Sequence, residues 1–444
     1  MFQQKVVITI PASFEPAARD LTAEAARLCD FEQLTLLEEP QASLYGWINN
    51  KGDSWRDELK AGDIILVVDI GGGTTDFSLI AVEDEEGQLG FKRIAVGDHI
   101  LIGGDNIDLM LAMEIQQRFI KKDAPLEAWQ VQALVHACRD AKEKLLSDTE
   151  LKDIAVVIPG RSSKLFGKTV KETLSRIDIE KIVLSGFFPS VNIDEKPKQN
   201  LRTGISRLSL NYAQDAAITR HLAAFLSKQA QHGEGFIAPK AVLFNGGVLK
   251  SDTLRQHIMN SVNKWLVEAD KEEAIELGGA DYDTSVSFGA SVFADSLNGN
   301  GIRIRGGSSH SFYIGIESPM PAIPGFEPPI EALCIAPQGM ENGESQTYEA
   351  EAFSLVVGEP VEFRFFAANS RMDDQLGDII EDWQNADLSE LQPLRLTLSA
   401  DNYKNGEMVP VYISTMHTEI GTLEVTARAV ESADNWKLEF ETIR

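Results

Sequence analysis

An α/β part built on a mixed sheet, followed by an all-β module, is the fold class that three observations predict. Strand and helix patterns alternate over residues 6–47, as layered α/β architectures require. Three β-rich segments then follow one another without intervening helices, at 64–69, 76–82 and 91–96, so the sheet is mixed rather than purely parallel. Beyond the glycine-rich stretches 298–301 and 306–309 the periodicity changes to short alternating or β-branched segments, which places a boundary near residue 305.

Each element has its own signal. Residues 6–10 are a β-branched run that Pro11 ends. Ser13 is expected to cap a helix with Pro16 in its first turn, because Ala17, Ala18, Leu21, Ala25 and Leu28 fall at helical spacing. A short strand at 34–37 leads to Glu38-Glu39-Pro40, which opens a second helix carrying Leu44 and Trp47. Gly97-Asp98 and Gly103-Gly104-Asp105 lead into two amphipathic helices over 106–146, broken at 123–125, which read as a peripheral helical subdomain. The polar stretch 192–207 reads as a loop insertion. A helix is expected at 212–229, a core strand at 241–245, then Gly246-Gly247 and helices at 251–267 and 283–297. Strands of the β module are expected at 311–316, 352–357, 361–366, 394–399, 409–414 and 421–429.

The chemistry concentrates in Val68-Asp69-Ile70-Gly71-Gly72-Gly73-Thr74-Thr75-Asp76-Phe77, an acid-ended strand, a glycine triplet, two hydroxyls and a second acid before another strand. Gly71, Gly72 and Gly73 are expected to allow a tight positive-φ turn whose amides close on phosphate oxygens. Asp69 and Asp76 flank the place where hydrated Mg²⁺ would sit, since Mg²⁺ keeps several waters and takes few carboxylates directly. Thr74 is placed to donate to a terminal phosphate. No Gly-Lys-Ser/Thr follows and the next element is a strand, which excludes a Walker loop. Taken alone the motif also fits a glycine-rich hairpin with incidental acids.

Composition bounds the rest. At 444 residues and 43% hydrophobic content the chain has material for two to three domains. The 41 Lys and Arg against 68 Asp and Glu leave a net charge of -27, which opposes a general role in binding nucleic-acid backbones. Cys29, Cys138 and Cys334 are too scattered for a disulfide framework or a zinc site. With no run of roughly 18 apolar residues, the expectation is a soluble protein of a reducing, cytoplasmic compartment without membrane or nucleic-acid partners.

In order along the chain, these motifs resemble the heat-shock protein 70 (DnaK-type) chaperone family of the actin-like ATPase superfamily. The resemblance rests on residues 7–14, Glu39-Pro40, the 69–77 hairpin, 97–108, Gly246-Gly247 and 283–290, with the β module after residue 313 similar to the family's peptide-binding sandwich. It implies an actin-like ATPase with ribonuclease H-like mixed sheets and helices, partial here, followed by a β-sandwich. Residues 1–60 would be the remnant of the first lobe, 61–305 the second lobe with its helical subdomain at about 106–235, and 306–444 the peptide-binding domain. ATP or ADP with Mg²⁺ would be the cofactors, with unfolded or extended polypeptide and co-chaperones as partners.

The implied roles follow residue by residue. Asp69 and Asp76 would hold the metal's water shell, Gly71, Gly72, Gly73 and Thr74 the phosphates, and Glu39, Asp69 and Thr74 the catalytic positions. Gly103, Gly104, Lys142, Gly246, Gly247, Lys250 and Asp283 would line the nucleotide pocket, and Pro11 and Arg19 would relay nucleotide state between domains. For Glu39 a plain helix-N-terminal acid, and for Arg19 a solvated helix face, remain open. The chain departs from the family in lacking, as given, its first phosphate loop and catalytic lysine, so negligible ATP hydrolysis is expected. Arg139 stands where the family has a ribose-contacting acid, Lys250 where it has a stacking arginine. These departures suggest a divergent, YegD-like member. An actin-like sugar or metabolite kinase and a catalytically inactive regulatory relative stay open beside the chaperone reading.

Overall fold

A computed structural model describes residues 5–438 apart from 15, 32, 86–87, 123–125, 161–169, 199–212, 231–234, 280, 298–303, 306, 309, 319–327, 342, 372, 400–401 and 419–421. The expected helix break at 123–125, and parts of the expected 192–207 loop and of the boundary near 305, lie outside the described residues. The chain divides into two compact units. One comprises Gly46–Leu79 and Gly97–Phe288, the other Met1–Tyr45, Ile80–Val96 and Gly289–Arg444.

In the first of these units the strand Ile64–Ile70 lies parallel to Ala241–Asn245, which pairs on its far side with Ile275–Glu276. Residues 65–68 are wholly buried, as the unbroken apolar run demands of a strand covered on both faces. Register is decisive for function here, because it sets Asp69 directly against Asn245. The helix Gly104–Lys121 buries Ile107, Leu111, Ile115 and Phe119 at four-residue spacing, and the Asn106 side chain accepts the Gly103 amide at 2.9 Å to fix its start. It packs on the helix Ala128–Ser147, which buries Leu134, Cys138, Ala141 and Leu145. An antiparallel hairpin follows, Asp153–Ile158 with Val170–Ser175, which the sequence reading lacked.

The helix expected at 212–229 is Ile218–Lys228. Its start is delayed because the Asp215 carboxylate takes the amides of Ala217 at 3.0 Å and Lys198 at 2.8 Å, holding a turn ahead of the first helical residue. Described residues of the polar stretch are tied down rather than loose, the Ser227 hydroxyl donating to the Ile193 carbonyl and the Asn192 amide to Glu195 Oε1 at 2.9 Å. The helix Asp252–Glu268 is capped by Ser251, whose hydroxyl accepts the Leu254 amide.

The other unit begins with a βαβ crossover, Lys5–Ile10 parallel to Gln33–Glu38 across the helix Pro16–Leu28. Ser13 sits in the turn closed by the Phe14 amide on the Pro11 carbonyl, three residues before the helix, and so does not occupy the expected cap position. The strand Gln88–Val96 pairs in parallel with Ile304–Arg305. Beyond it lie two antiparallel sheets. In one, Ser311–Glu317 runs between Ile330–Ala336 and Phe365–Ala368; the other orders Ser345–Val357, Glu407–His417, Leu423–Ala429 and Asn435–Leu438. Their inner faces meet in one core that includes Phe312, Leu333, Phe365, Val357, Val411 and Val425. Each such side chain contributes about 1.5–3 kcal/mol when fully buried. The expected strand at 361–366 divides at Arg364, since Pro360–Phe363 pairs with Leu394–Thr397 while Phe365–Ala368 joins Ser311–Glu317.

Candidate functional site

The hairpin between Ile64–Ile70 and Thr75–Glu85 is the centre of the site. Its four-residue turn is closed by the Gly71 amide donating to the Thr74 carbonyl at 3.0 Å. The start of the helix Gly104–Lys121 is docked on it, the Gly104 amide donating to the Gly71 carbonyl at 3.0 Å and the Asp105 amide to that of Gly72 at 2.7 Å. Gly103 makes this docking possible, since a Cβ there would lie 2.6 Å from the Gly72 carbonyl oxygen. The amides of Gly72, Gly73 and Thr74 donate to no described group, while Gly72 and Gly73 are exposed. Three unengaged N–H groups in one exposed turn form an anion-binding concavity.

The expected positive φ is not found in this turn. None of Gly71, Gly72 and Gly73 adopts it, and a Cβ at Gly73 would meet nothing within 4 Å. At Gly73 the protein itself therefore has no steric need of glycine. Positive φ occurs instead at Gly246, at 90°, where a Cβ would press into the Ile70 carbonyl and come within 2.7 Å of Asp69 Oδ1. Gly246 thus lies against the end of Ile64–Ile70, next to the Asp69 carboxylate, and Gly247 beside it is sterically open.

Two buried acids flank the turn. Burial pushes the Asp69 carboxyl up to about 6, and the charge of Asp76 adds to the rise while a hydrogen bond from Asn245 opposes it. That bond runs from Asn245 Nδ2 to Asp69 Oδ2 at 2.6 Å, and the Ser285 hydroxyl donates to Asn245 Oδ1 at 3.2 Å. Asp76 lies 3.1 Å from the His99 Nδ1. Hard carboxylate oxygens beside free amides suit a hydrated Mg²⁺ carrying phosphate, and among the described residues no cluster of three or more metal-ligating side chains offers a closed protein cage.

The remaining pocket residues are arranged as ion pairs. Lys142 Nζ is 2.7 Å from Asp108 Oδ1, and Arg139 spans Asp108, at 2.8 Å, and Asp105. The hydrogen bond to Asp108 raises the Arg139 guanidinium further above its ordinary range. Lys250 pairs with Asp283, and that hydrogen bond raises the lysine. Asp69, the 71–74 turn, Asp76, Gly103, Gly104, Lys142, Gly246, Gly247, Lys250 and Asp283 therefore belong to one unit. Asn245, Ser285 and Asp108 escaped the sequence reading of the site's chemistry. The only sequence signal for Asn245 was a polar residue ending an apolar strand just before a glycine pair.

Glu39, Pro11 and Arg19 belong to the other unit. Glu39 is the first residue of the helix Glu39–Lys51. Arg19 is buried rather than a solvated helix face: its guanidinium bonds Glu38 Oε1 at 2.6 Å and the Phe14 carbonyl at 3.0 Å, and burial lowers it to about 10. The other Glu38 oxygen faces Arg93, which burial lowers to about 9 and which also donates to the Gly307 carbonyl. The sequence reading missed Glu38 and Arg93.

Residues 3–190 match the family model described as Hsp70 protein. The chain is also similar to the chaperone protein DnaK of Buchnera aphidicola subsp. Schizaphis graminum (strain Sg), at 28% identity over 191 residues, covering 42% of this chain and 29% of that protein. A chaperone protein HscA homolog of Rickettsia prowazekii (strain Madrid E) is 37% identical over 115 residues, 26% of this chain and 17% of the relative. The likeness to Hsp70 proteins lies within residues 3–190, less than half of the chain. The chain's matches span less than a third of the length of these relatives.

Proposed function

We propose that this chain binds a nucleoside di- or triphosphate with Mg²⁺ at the 69–76 hairpin, and that its C-terminal β region binds extended polypeptide, in the manner of a divergent, YegD-like chaperone. The observation that carries the nucleotide part is the turn with three unengaged amides between two buried carboxylates. Gly72, Gly73 and Thr74 would donate to the phosphates, and Asp69 and Asp76 would orient the metal's water shell. Bound Mg²⁺ supplies neutralisation of phosphate charge. Gly246 and Gly247 let backbone approach the nucleoside, with Lys142, Lys250 and Asp283 on its border.

The polypeptide part rests on the family relationship and on the two facing sheets, which support a β-sandwich over about 306–444, after an actin-like lobe over about 61–305 and a lobe remnant over 1–60. The same β region argues against an actin-like sugar kinase. Extended peptide would add main-chain hydrogen bonds and fill side-chain pockets. Pro11 and Arg19 would carry nucleotide state onward, a reading the buried Arg19–Glu38–Arg93–Gly307 chain supports. The protein would act in the cytoplasm with co-chaperones; among the described residues no helix is long and apolar enough to cross a membrane.

Calorimetric titration of the full chain with ADP and Mg²⁺ tests the nucleotide reading. Gly72→Val should weaken binding by about tenfold or more, because the branched side chain would keep phosphate from the turn's amides and so forfeit at least one charge-assisted hydrogen bond of roughly 1.5–3 kcal/mol. Unchanged affinity would remove phosphate from the site.

A further inference from the structure

Asn245 and Ser285 are buried polar side chains that contact no open surface, at 4% exposure each, yet they form a directed chain ending on Asp69. The chemistry fixes its polarity. An ionised carboxylate only accepts hydrogen bonds, so the Asn245 amide must present its NH₂ to Asp69 Oδ2 and its carbonyl to Ser285, whose hydroxyl donates. A planar group with a donor on one side and an acceptor on the other is required at this point, and among the side chains of this size asparagine alone supplies it. Leucine would fill the space without donating, and aspartate would set one carboxylate against another.

The chain also crosses the fold. Asp69 is the penultimate residue of Ile64–Ile70, Asn245 ends the adjacent parallel strand, and Ser285 opens the helix Ser285–Ser296. The Asp69 Oδ1 oxygen takes no hydrogen bond from any described group and lies on the Gly246 side of the carboxylate, where only the lack of a side chain leaves it room. Without Asn245 the carboxylate would be free to turn about its χ2, whose well is broad for aspartate.

We propose that Asn245, held by Ser285, is a positioning residue that locks the Asp69 carboxylate by one oxygen and so reserves the other for the water shell of the divalent cation that arrives with nucleotide. This rests on the nucleotide reading above. Partners that orient a metal-binding group from behind typically govern metal affinity by about 10–100-fold. A residue of purely structural importance would instead weaken all ligand binding alike.

The test is calorimetric titration of the full chain with ADP, once in excess Mg²⁺ and once in EDTA. In the wild type Mg²⁺ should strengthen binding. Asn245→Leu should reduce the Mg²⁺-dependent gain by about tenfold while leaving the affinity in EDTA within roughly twofold, and Asn245→Asp should do at least as much. Ser285→Ala removes only a hydroxyl and decides the matter should the changes at 245 unfold the chain: a loss of about threefold, again confined to Mg²⁺, is expected for one hydrogen bond. Equal losses in Mg²⁺ and EDTA, or no loss, would overturn the positioning role. A wild-type chain that binds ADP in neither condition would overturn the nucleotide reading and this inference with it, whereas wild-type binding with indifferent variants overturns this inference alone.

Discussion

Asp69→Asn should stabilise the ligand-free protein at neutral pH while weakening Mg²⁺-nucleotide binding. The Asp69 carboxyl is raised from 3.8 to about 6, chiefly by burial. Between those values the native state holds a proton that the unfolded chain has lost, so stability falls as pH rises through the window and the full cost persists above it. At 1.36 kcal/mol per unit the difference amounts to about 3 kcal/mol. Asparagine escapes that cost, and its carbonyl can still accept from Asn245. Its NH₂, however, finds no acceptor, which costs about 1–2 kcal/mol at any pH. The balance is therefore roughly 1 kcal/mol against the variant at pH 4, near zero at about pH 5, and roughly 1–2 kcal/mol in its favour at pH 7. Thermal unfolding of wild type and variant without ligand, from pH 4 to pH 7, reads the crossing directly. A variant less stable than wild type at pH 7, or a difference that does not change with pH, would refute the charge-burial argument.

Two further substitutions test the packing on which the site depends. Gly246→Ala should cost about 2–5 kcal/mol, from positive φ and from the clash with the Ile70 carbonyl. Gly247→Ala next to it, with nothing within 4 Å, should stay within about 0.5 kcal/mol, and urea unfolding of the pair checks the contrast. Glu38→Gln should destabilise by about 3–5 kcal/mol because it leaves two buried guanidiniums uncompensated, and adding Arg93→Met should restore part of that loss in the same assay.

What the sequence could show depended on whether the determining interaction was local. The strand Ile64–Ile70 and the glycine turn after it were legible because burial on both faces leaves an unbroken apolar run and turns collect glycine. The purpose of those glycines was not legible: left-handed backbone is needed at Gly246, while none of Gly71, Gly72 and Gly73 adopts positive φ and only Gly73 faces open space. The strand Ile330–Ala336, an apolar run covered on both faces by the inter-sheet core at Leu333 and Ile335 and by the Tyr313–Phe366 cluster at Ala332 and Cys334, carries the same signal as Ile64–Ile70 and was missed because only alternating or β-branched segments were read as strands beyond residue 305. Asn245 was out of reach for a different reason. Its bond to Asp69 spans 176 positions and is created by parallel register, which no local pattern encodes. Arg19 looked like a surface residue because its partner Glu38 is brought to it only by the crossover that sets Gln33–Glu38 beside Lys5–Ile10.

Charge pairing around the hairpin bears on the order in which ligands bind. Lys142 and Arg139 are committed to Asp108 and Asp105, and Lys250 to Asp283, so the cations that the sequence placed near the nucleotide arrive already compensated. Asp69 and Asp76, by contrast, are two buried acids close enough that the charge of Asp76 adds to the rise in the Asp69 pKa. A bare polyphosphate approaching the exposed Gly72 and Gly73 would gain their amides yet meet the negative field of the two buried acids. A phosphate that brings Mg²⁺ reverses the sign, because the cation satisfies acids and phosphate together. On the proposed reading the hairpin would therefore favour the metal complex over the free nucleotide, and the amides would add selectivity for phosphate only once the metal had made the approach favourable.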